Sequence, residues 1–254
     1  MIVVKEEDRL LLFDQHLHAL ASGVIGKNWG EASLPLPQQK ESVEYAVANH
    51  DRGWIPLDQH PVWNEEKGQP FSFMDYPMEE KVKRYQEGVD AVEEKDDYSA
   101  LLCSMHYCSF FPNSPSDTAS KTFLKNESER QARLRAKLDV GITNEAIDYH
   151  FQMLQFCDDL SLYCCMNQPG VTKDRELSWF KNGFRQAFPE APEGLIAHYI
   201  QEEKVSISPF PLQQSVTLHI PYRLVMLSTI NEIGWEEAWK GAPSHIRTVS
   251  LVPA

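Results

Sequence analysis

"NEAIDYHFQMLQFCDDLSLYCCM", residues 144–166, is the stretch on which the fold turns. Ile147, Phe151, Leu154, Asp158, Leu162 and Cys165 recur at steps of three and four, the spacing of one face of an α-helix. An aspartate therefore stands on an otherwise apolar face. A carboxylate buried without a partner costs several kcal/mol, so Asp158 needs a partner or a purpose. Its neighbour Asp159 falls instead on the polar stripe of Asp148, Gln152 and Gln155, and is expected to face solvent or a boundary.

The same spacing predicts helices over 14–29, 38–51, 79–92, 98–110 and 127–138. The segments "GEASLPLPQQ", "FPNSPSDTAS" and "NQPGVTKD" have loop composition. Between Trp54 and residue 78 runs an irregular stretch rich in Pro, Gly and aromatic residues, too apolar for a disordered linker and expected to pack over something. "MIVV" and "LLLF" around "KEEDR" predict a hairpin over residues 1–13, and beyond residue 200 alternation such as Val216, Leu218 and Ile220 predicts strands. The expected fold is mainly α: a helical body over about 14–198 and a strand-rich extension over about 200–254. A small antiparallel sheet would be drawn from the two terminal segments, all within one domain of 254 residues.

Asp158 is not the only polar group on an apolar face. His18 shares a side with Ala21, Ile25 and Trp29, whereas His16 lies with Leu20, Gly23 and Lys27. His106 stands between Leu102 and Phe110 at steps of four, and His50 follows Val43 and Val47. With Asp51 beside His50, four helices aim a histidine or a carboxylate inward, and one metal would satisfy them together. Adjacent helical residues diverge by about 100°, so His50 and Asp51 can reach a cation over the seam between them. Imidazole with carboxylate suits Fe, Mn, Zn, Ni or Co, and the lack of cysteine at these positions argues against a structural thiolate zinc site. Each residue taken singly also has an ordinary reading: a hydrogen-bonded core histidine, an N-cap for Asp51, or an arginine pair for Asp158.

A net charge of −13 and a pI near 5.1 argue against general nucleic-acid binding and against an anionic membrane surface. The N-terminus has only four apolar residues before a charged run, so neither a signal peptide nor a membrane span is expected there, and the chain is expected to be cytoplasmic. The five cysteines lie mostly in apolar helical segments without a CxxC pair and read as reduced core residues. No GxxxxGK[ST] loop and no GxSxG elbow occurs, and Cys103 with His106 share a helix side without an evident oxyanion loop.

The order His18, then His50-Asp51, then Asp158 resembles the H…HD…D signature of the HD-domain superfamily, helical metal-dependent proteins that are mostly phosphohydrolases. More closely, "QHLHALASG", "HDRGW", "SMHYCSFF" and "LQFCDDLSLYCC" are similar to the pattern of an uncharacterised bacterial family, domain of unknown function 3891, as is the strand-rich C-terminus. The resemblance implies an HD-like helical bundle with His18, His50, Asp51 and Asp158 as ligands of one or two divalent transition-metal ions (Fe, Mn, Ni or Zn). In members with two metals, further histidines come between the HD pair and the last aspartate; His106 fits that place, and His60 is a second option. One departure stands out. Where many of these phosphohydrolases carry an apolar residue, glycine and a small or basic residue after HD, this chain has Arg52, Gly53 and Trp54. Trp54 cannot bind phosphate as a lysine does, whereas Arg52 can meet phosphate or carboxylate bidentately.

Three functions follow from this resemblance. The first is a metal-dependent hydrolase acting on a phosphoester or related small molecule, with Asp51 and Arg52 in catalysis and Lys27 as another nearby cation. The second is a di-iron oxygenase, which would need five or six ligands. The third is a non-catalytic regulatory protein whose metal or pocket only senses a ligand. A small-molecule substrate is expected rather than nucleic acid or membrane, with a homo-oligomer as one option for assembly. Trp54, Trp63, Phe71, Phe73 and Tyr76 line a pocket or cover a core in any of these readings.

Overall fold

A computed structural model describes residues 1–30 and 34–254 of the chain. The helix read from residue 144 is α7 (Asn144–Met166), opened by Thr143, whose hydroxyl accepts from the Ala146 N–H at 3.3 Å. In chain order the other helices are α1 (Gln15–Lys27), α2 (Lys40–Asn49), α3 (Ile55–Gln59), α4 (Met78–Glu93), α5 (Asp97–Cys108), α6 (Thr118–Arg135), α8 (Leu227–Ile233) and α9 (Trp235–Gly241). The strands are β1 (Ile2–Lys5), β2 (Arg9–Phe13), β3 (Trp63–Asn64), β4 (Gln69–Pro70), β5 (Ile196–Gln201), β6 (Lys204–Ser208), β7 (Val216–Met226) and β8 (Ser244–Pro253). The loop expected over 30–39 lies partly outside the described residues, at 31–33, and its remainder ends in a 3-10 turn at Pro37–Gln39.

Helix α6 starts nine residues before the expected Glu127, because the Asp117 carboxylate caps it by accepting from the Ser120 N–H at 2.8 Å. Its first turns are polar and mostly exposed, so no apolar period betrays them. Helices α1 and α2 approach closely at Gly23, where an added Cβ would stand 2.7 Å from the Ala48 Cβ. That approach sets the spacing between the helices that carry His18 and His50.

The expected small antiparallel sheet is corrected. Six strands run in the order β1-β2-β7-β8-β6-β5, with β6 and β8 parallel and the other pairs antiparallel. With close to half of the residues helical, the architecture combines helices and a substantial sheet rather than a bundle with a minor one. Alternation assigns the two faces of the sheet: Leu11 and Phe13 join the main core with α7, while Leu10 and Leu12 join Met1, Val225 and Trp239 beneath α9. The sheet also closes the end of α7. Buried Arg247 on β8 donates to the carbonyls of Cys164, Cys165 and Asn167 at 3.0, 2.6 and 3.3 Å, satisfying helix-terminal acceptors.

All five cysteines are free, and four are buried. Among the described residues no helix is long and apolar enough to cross a membrane.

Candidate metal centre

Four helices and the turn that follows α2 deliver the inward-facing polar groups to one place. His18 comes from the middle of α1, His50 caps the C-terminus of α2, Asp51 opens the 3-10 turn Arg52–Trp54, His106 stands on α5 and Asp158 on α7. All five are buried. The turn after the HD pair is pressed against α4: a Cβ on Gly53 would overlap the Arg84 carbonyl, and one on Gly88 would stand 2.7 Å from the Gly53 nitrogen. Glycine at both positions lets backbone meet backbone and seats His50-Asp51 below α4.

The donor atoms are spaced as around a cation. His18 Nε2 lies 3.3 Å from Asp51 Oδ2 and 3.4 Å from Asp158 Oδ1, and His50 Nε2 lies 3.8 and 3.4 Å from the same oxygens. Ligands held about 2.0–2.2 Å from a metal stand roughly 2.8–3.1 Å from their nearest neighbours in octahedral geometry and roughly 3.3–3.6 Å in tetrahedral geometry. His106 Nε2 approaches the other oxygen of Asp158 at 3.4 Å. Two overlapping groups result, His18/His50/Asp51 and His50/His106/Asp158, each with its donor atoms within 4.8 Å of one another.

Hydrogen bonding prepares the histidines as ligands. His50 donates from Nδ1 to the Val47 carbonyl at 2.8 Å, which leaves Nε2 with its lone pair and no protein hydrogen-bond partner. His18 Nδ1 is bonded to the Ser161 hydroxyl, which also accepts from Ser22 at 2.9 Å, so His18 likewise turns Nε2 to the cluster. Both nitrogens of His106 are buried without a hydrogen bond. Buried polar atoms left unpaired cost about 1–3 kcal/mol each, a cost that a metal ion held by this set would relieve.

Charge points the same way. Among the described residues, the only cationic groups within 4.0 Å of Asp51 or Asp158 are histidines. Burial alone lowers the pKa of His50, but the charges of Asp158 and Asp51 outweigh it and raise the value to about 9. His106, where burial dominates, is pushed down to about 3. Burial works to raise the pKa of Asp158, yet the neighbouring His50 holds it below the usual carboxylate range. A divalent cation would balance the two carboxylates directly, and the three imidazoles with two carboxylates form a donor set suited to Fe, Mn, Ni or Zn.

Other candidate residues lie elsewhere. His60 ends α3, exposed and outside both donor groups. His16 is half-buried, its pKa lowered by burial and by neighbouring Arg52. Arg52 is half-buried and donates to Asn49 Oδ1 at 3.3 Å, while Lys27 lines a separate surface groove beside Leu20 and Val24. Asp51 opens its turn without a side-chain cap bond, so it does not serve as a capping residue.

Above the cluster a cavity of about 430 Å³ reaches Asp51 and Asp158. Trp54 and Phe73 from the irregular stretch line it, whereas Trp63 packs on Trp235 and Phe71 on Tyr76. Asp159 stands at the cavity rather than in open solvent, accepting from Arg185 at 3.1 Å and Gln186 at 2.7 Å. Sequence reasoning missed Arg185, Trp179, Phe180 and Phe184, which come from a stretch without secondary-structure period. Ser22 and Ser161, also missed, had a signal: they follow His18 by four and Asp158 by three, on the same helix faces.

A family model described as "Protein of unknown function (DUF3891)" matches residues 1–226. The chain belongs to the DUF3891 family. Neither the curated proteins nor the solved structures offer a match. The five donors and the cavity wall fall inside the DUF3891 match, which ends with β7. Of the strand-rich C-terminus, β5, β6 and β7 belong to the matched region, and the match stops before α8, α9 and β8.

Proposed function

We propose that this DUF3891 protein is a metal-dependent hydrolase of a small phosphoester, built around an HD-type centre of His18, His50, Asp51, His106 and Asp158. The observation that carries this reading is the convergence of five buried donors, with His50 Nε2 and both His106 nitrogens lacking any hydrogen-bond partner. The chain order of His18, His50-Asp51 and Asp158 supports kinship with the HD-domain superfamily. Strands from both termini in one sheet, with α1 packed over β7, support reading residues 1–254 as one domain.

A divalent cation held there would supply Lewis acidity to a water and to a phosphoryl oxygen. The protein's part is to hold His18 and His50 in the ligating tautomer through Ser161 and the Val47 carbonyl, and to balance charge with Asp51 and Asp158. Aromatic walls restrict water around the reacting group. Arg52, one residue from Asp51, and Arg185 at the cavity are the cations proposed to meet developing negative charge. The di-iron oxygenase reading gains no sixth ligand from exposed His60.

Elemental analysis of protein purified with and without air, beside Asp51→Ala, tests the proposal. One or two equivalents of Fe, Mn, Ni or Zn, lost in the variant, followed by turnover in a phosphoester screen, are expected. Metal absent throughout, or retained in full by the variant, would refute the ligand assignment. Two irons with oxygen consumption would favour the oxygenase instead.

A further inference from the structure

The cavity wall above the donor cluster carries a chemical signature of its own. Two arcs of rings form it. In one, Tyr85 contacts Trp54 at 5.8 Å and Phe110 at 6.1 Å between centroids. In the other, Phe73, Trp179, Phe180 and Phe184 follow one another at 6.4, 6.3 and 6.0 Å. Phe110 also meets His106 at 4.7 Å, which ties the ring wall to the donor cluster.

Charge along the cavity is sparse. Its charged lining residues are Asp51, Asp158, Asp159 and Arg185, and Arg185 is paired with Asp159 at 3.1 Å. A divalent cation and Arg185 together offset the three carboxylates. A polyphosphate would bring far more negative charge than one phosphoryl group, and Arg185 is the only cationic side chain among the described lining residues to meet it, at high cost in a low-dielectric cavity. A sugar body would need several hydrogen-bond partners for its hydroxyls, and rings supply few. Flat apolar groups instead gain from offset and edge-on ring contacts.

Resting on the hydrolase reading, we propose that the substrate is a phosphomonoester of a flat apolar alcohol of one or two rings, the ring body held by the aromatic arcs and the phosphoryl group over the His/Asp cluster. Hydrolysis forms a P–O bond to the oxygen of water and breaks the ester P–O bond. The alcohol leaves with one proton of the water, and inorganic phosphate retains the other. Trp179 and Phe110 are the specificity-determining residues at the mouth, 54% and 45% exposed, so truncating them removes ring contact without opening the core.

Binding of 2-naphthol, 1-naphthyl phosphate, ribose 5-phosphate and ATP to chelator-treated protein, followed by calorimetry, tests the ring site independently of metal. Both naphthyl probes are expected to bind at least tenfold more tightly than ribose 5-phosphate or ATP. The Phe110→Ala/Trp179→Ala double variant, shown folded by circular dichroism, is expected to weaken 2-naphthol at least fivefold. In metal-loaded protein, 1-naphthyl phosphate should be hydrolysed and ATP should not. Equal binding of ATP, or 2-naphthol binding that ignores the double substitution, would overturn the proposal. A chain that binds 2-naphthol through Phe110 and Trp179 yet holds no metal would support the ring site and refute hydrolysis alone.

Discussion

Changing Ser161 to alanine should separate a metal centre from a set of core histidines. In the metal-free chain the change removes the hydroxyl that holds His18 Nδ1, while Ser22 keeps a second acceptor in the His18 carbonyl at 3.2 Å. One buried group is then left unpaired, which costs about 1–3 kcal/mol whatever the cluster does. The metal-dependent effect is distinct. Losing the group that orients a ligating histidine weakens metal binding about 10- to 100-fold. At metal concentrations of 100 times the wild-type Kd, binding stabilises the wild type by about 2.7 kcal/mol and the variant by only about 0.4–1.4 kcal/mol. For a chain of this size roughly 2–4 °C accompany each kcal/mol, so the metal-induced rise in Tm should fall from about 5–11 °C to about 1–6 °C. Differential scanning fluorimetry with and without the metal identified by elemental analysis reads this directly. A variant whose Tm drops but whose metal-induced rise equals that of wild type would refute the role given to Ser161 and His18.

Three further outcomes are expected. His106→Ala should lower the bound metal per chain, whereas His60→Ala should leave it unchanged; elemental analysis finding the reverse would exchange their roles. Arg247→Met strips three carbonyls at the end of α7 of their donor and should lower stability by about 3 kcal/mol, read from the urea midpoint, and a loss under about 1 kcal/mol would contradict the capping role. Burial, with the charge of Asp58, raises the pKa of Asp14 to about 6. Its folded state therefore binds the proton more tightly than the unfolded state, so its contribution to stability is greatest below the unfolded value near 4 and declines as pH rises through about 6. Relative to Asp14→Asn, the wild type should lose on the order of 2–3 kcal/mol between pH 4 and 7, and parallel stability curves for the two proteins would refute this.

Helical period carried much of the candidate site because each donor advertises itself within its own helix. His18 falls with Ala21 and Ile25, His106 with Leu102, and Asp158 with Leu154 and Leu162, and all of these residues are buried. The same spacing separated buried His18 from half-buried His16, and alternation marked Val216, Leu218 and Ile220 as the buried face of β7. Sheet order is a different kind of information. The parallel pairing of β6 with β8 depends on a return through α8 and α9, which no local period reports, and edge strand β5 buries only Ala197 and Tyr199. Nothing local marks Arg247 as a helix cap, because its partners, the last carbonyls of α7, lie some 80 positions earlier. The cavity wall was hidden for the same reason: Trp179, Phe184 and Arg185 belong to an aperiodic segment whose position is set by tertiary contacts.

One of those contacts explains how an aperiodic segment can hold a wall. Lys173 donates to Glu176 at 2.6 Å and to the carbonyls of Phe180 and Ala197 at 2.9 and 2.7 Å, while Tyr163 on α7 donates to the other Glu176 oxygen at 2.7 Å. The helix that carries Asp158 thus also anchors the segment that presents Trp179, Phe180 and Phe184. At the far side Asp159, adjacent to Asp158, holds Arg185 and Gln186. The floor and one wall of the cavity are therefore positioned by one helix, through Asp158, Asp159 and Tyr163. Shared anchoring of this kind limits movement of the ring arc relative to the donors, which any reaction at the cluster requires if a substrate held by the wall is to meet a group held by the floor.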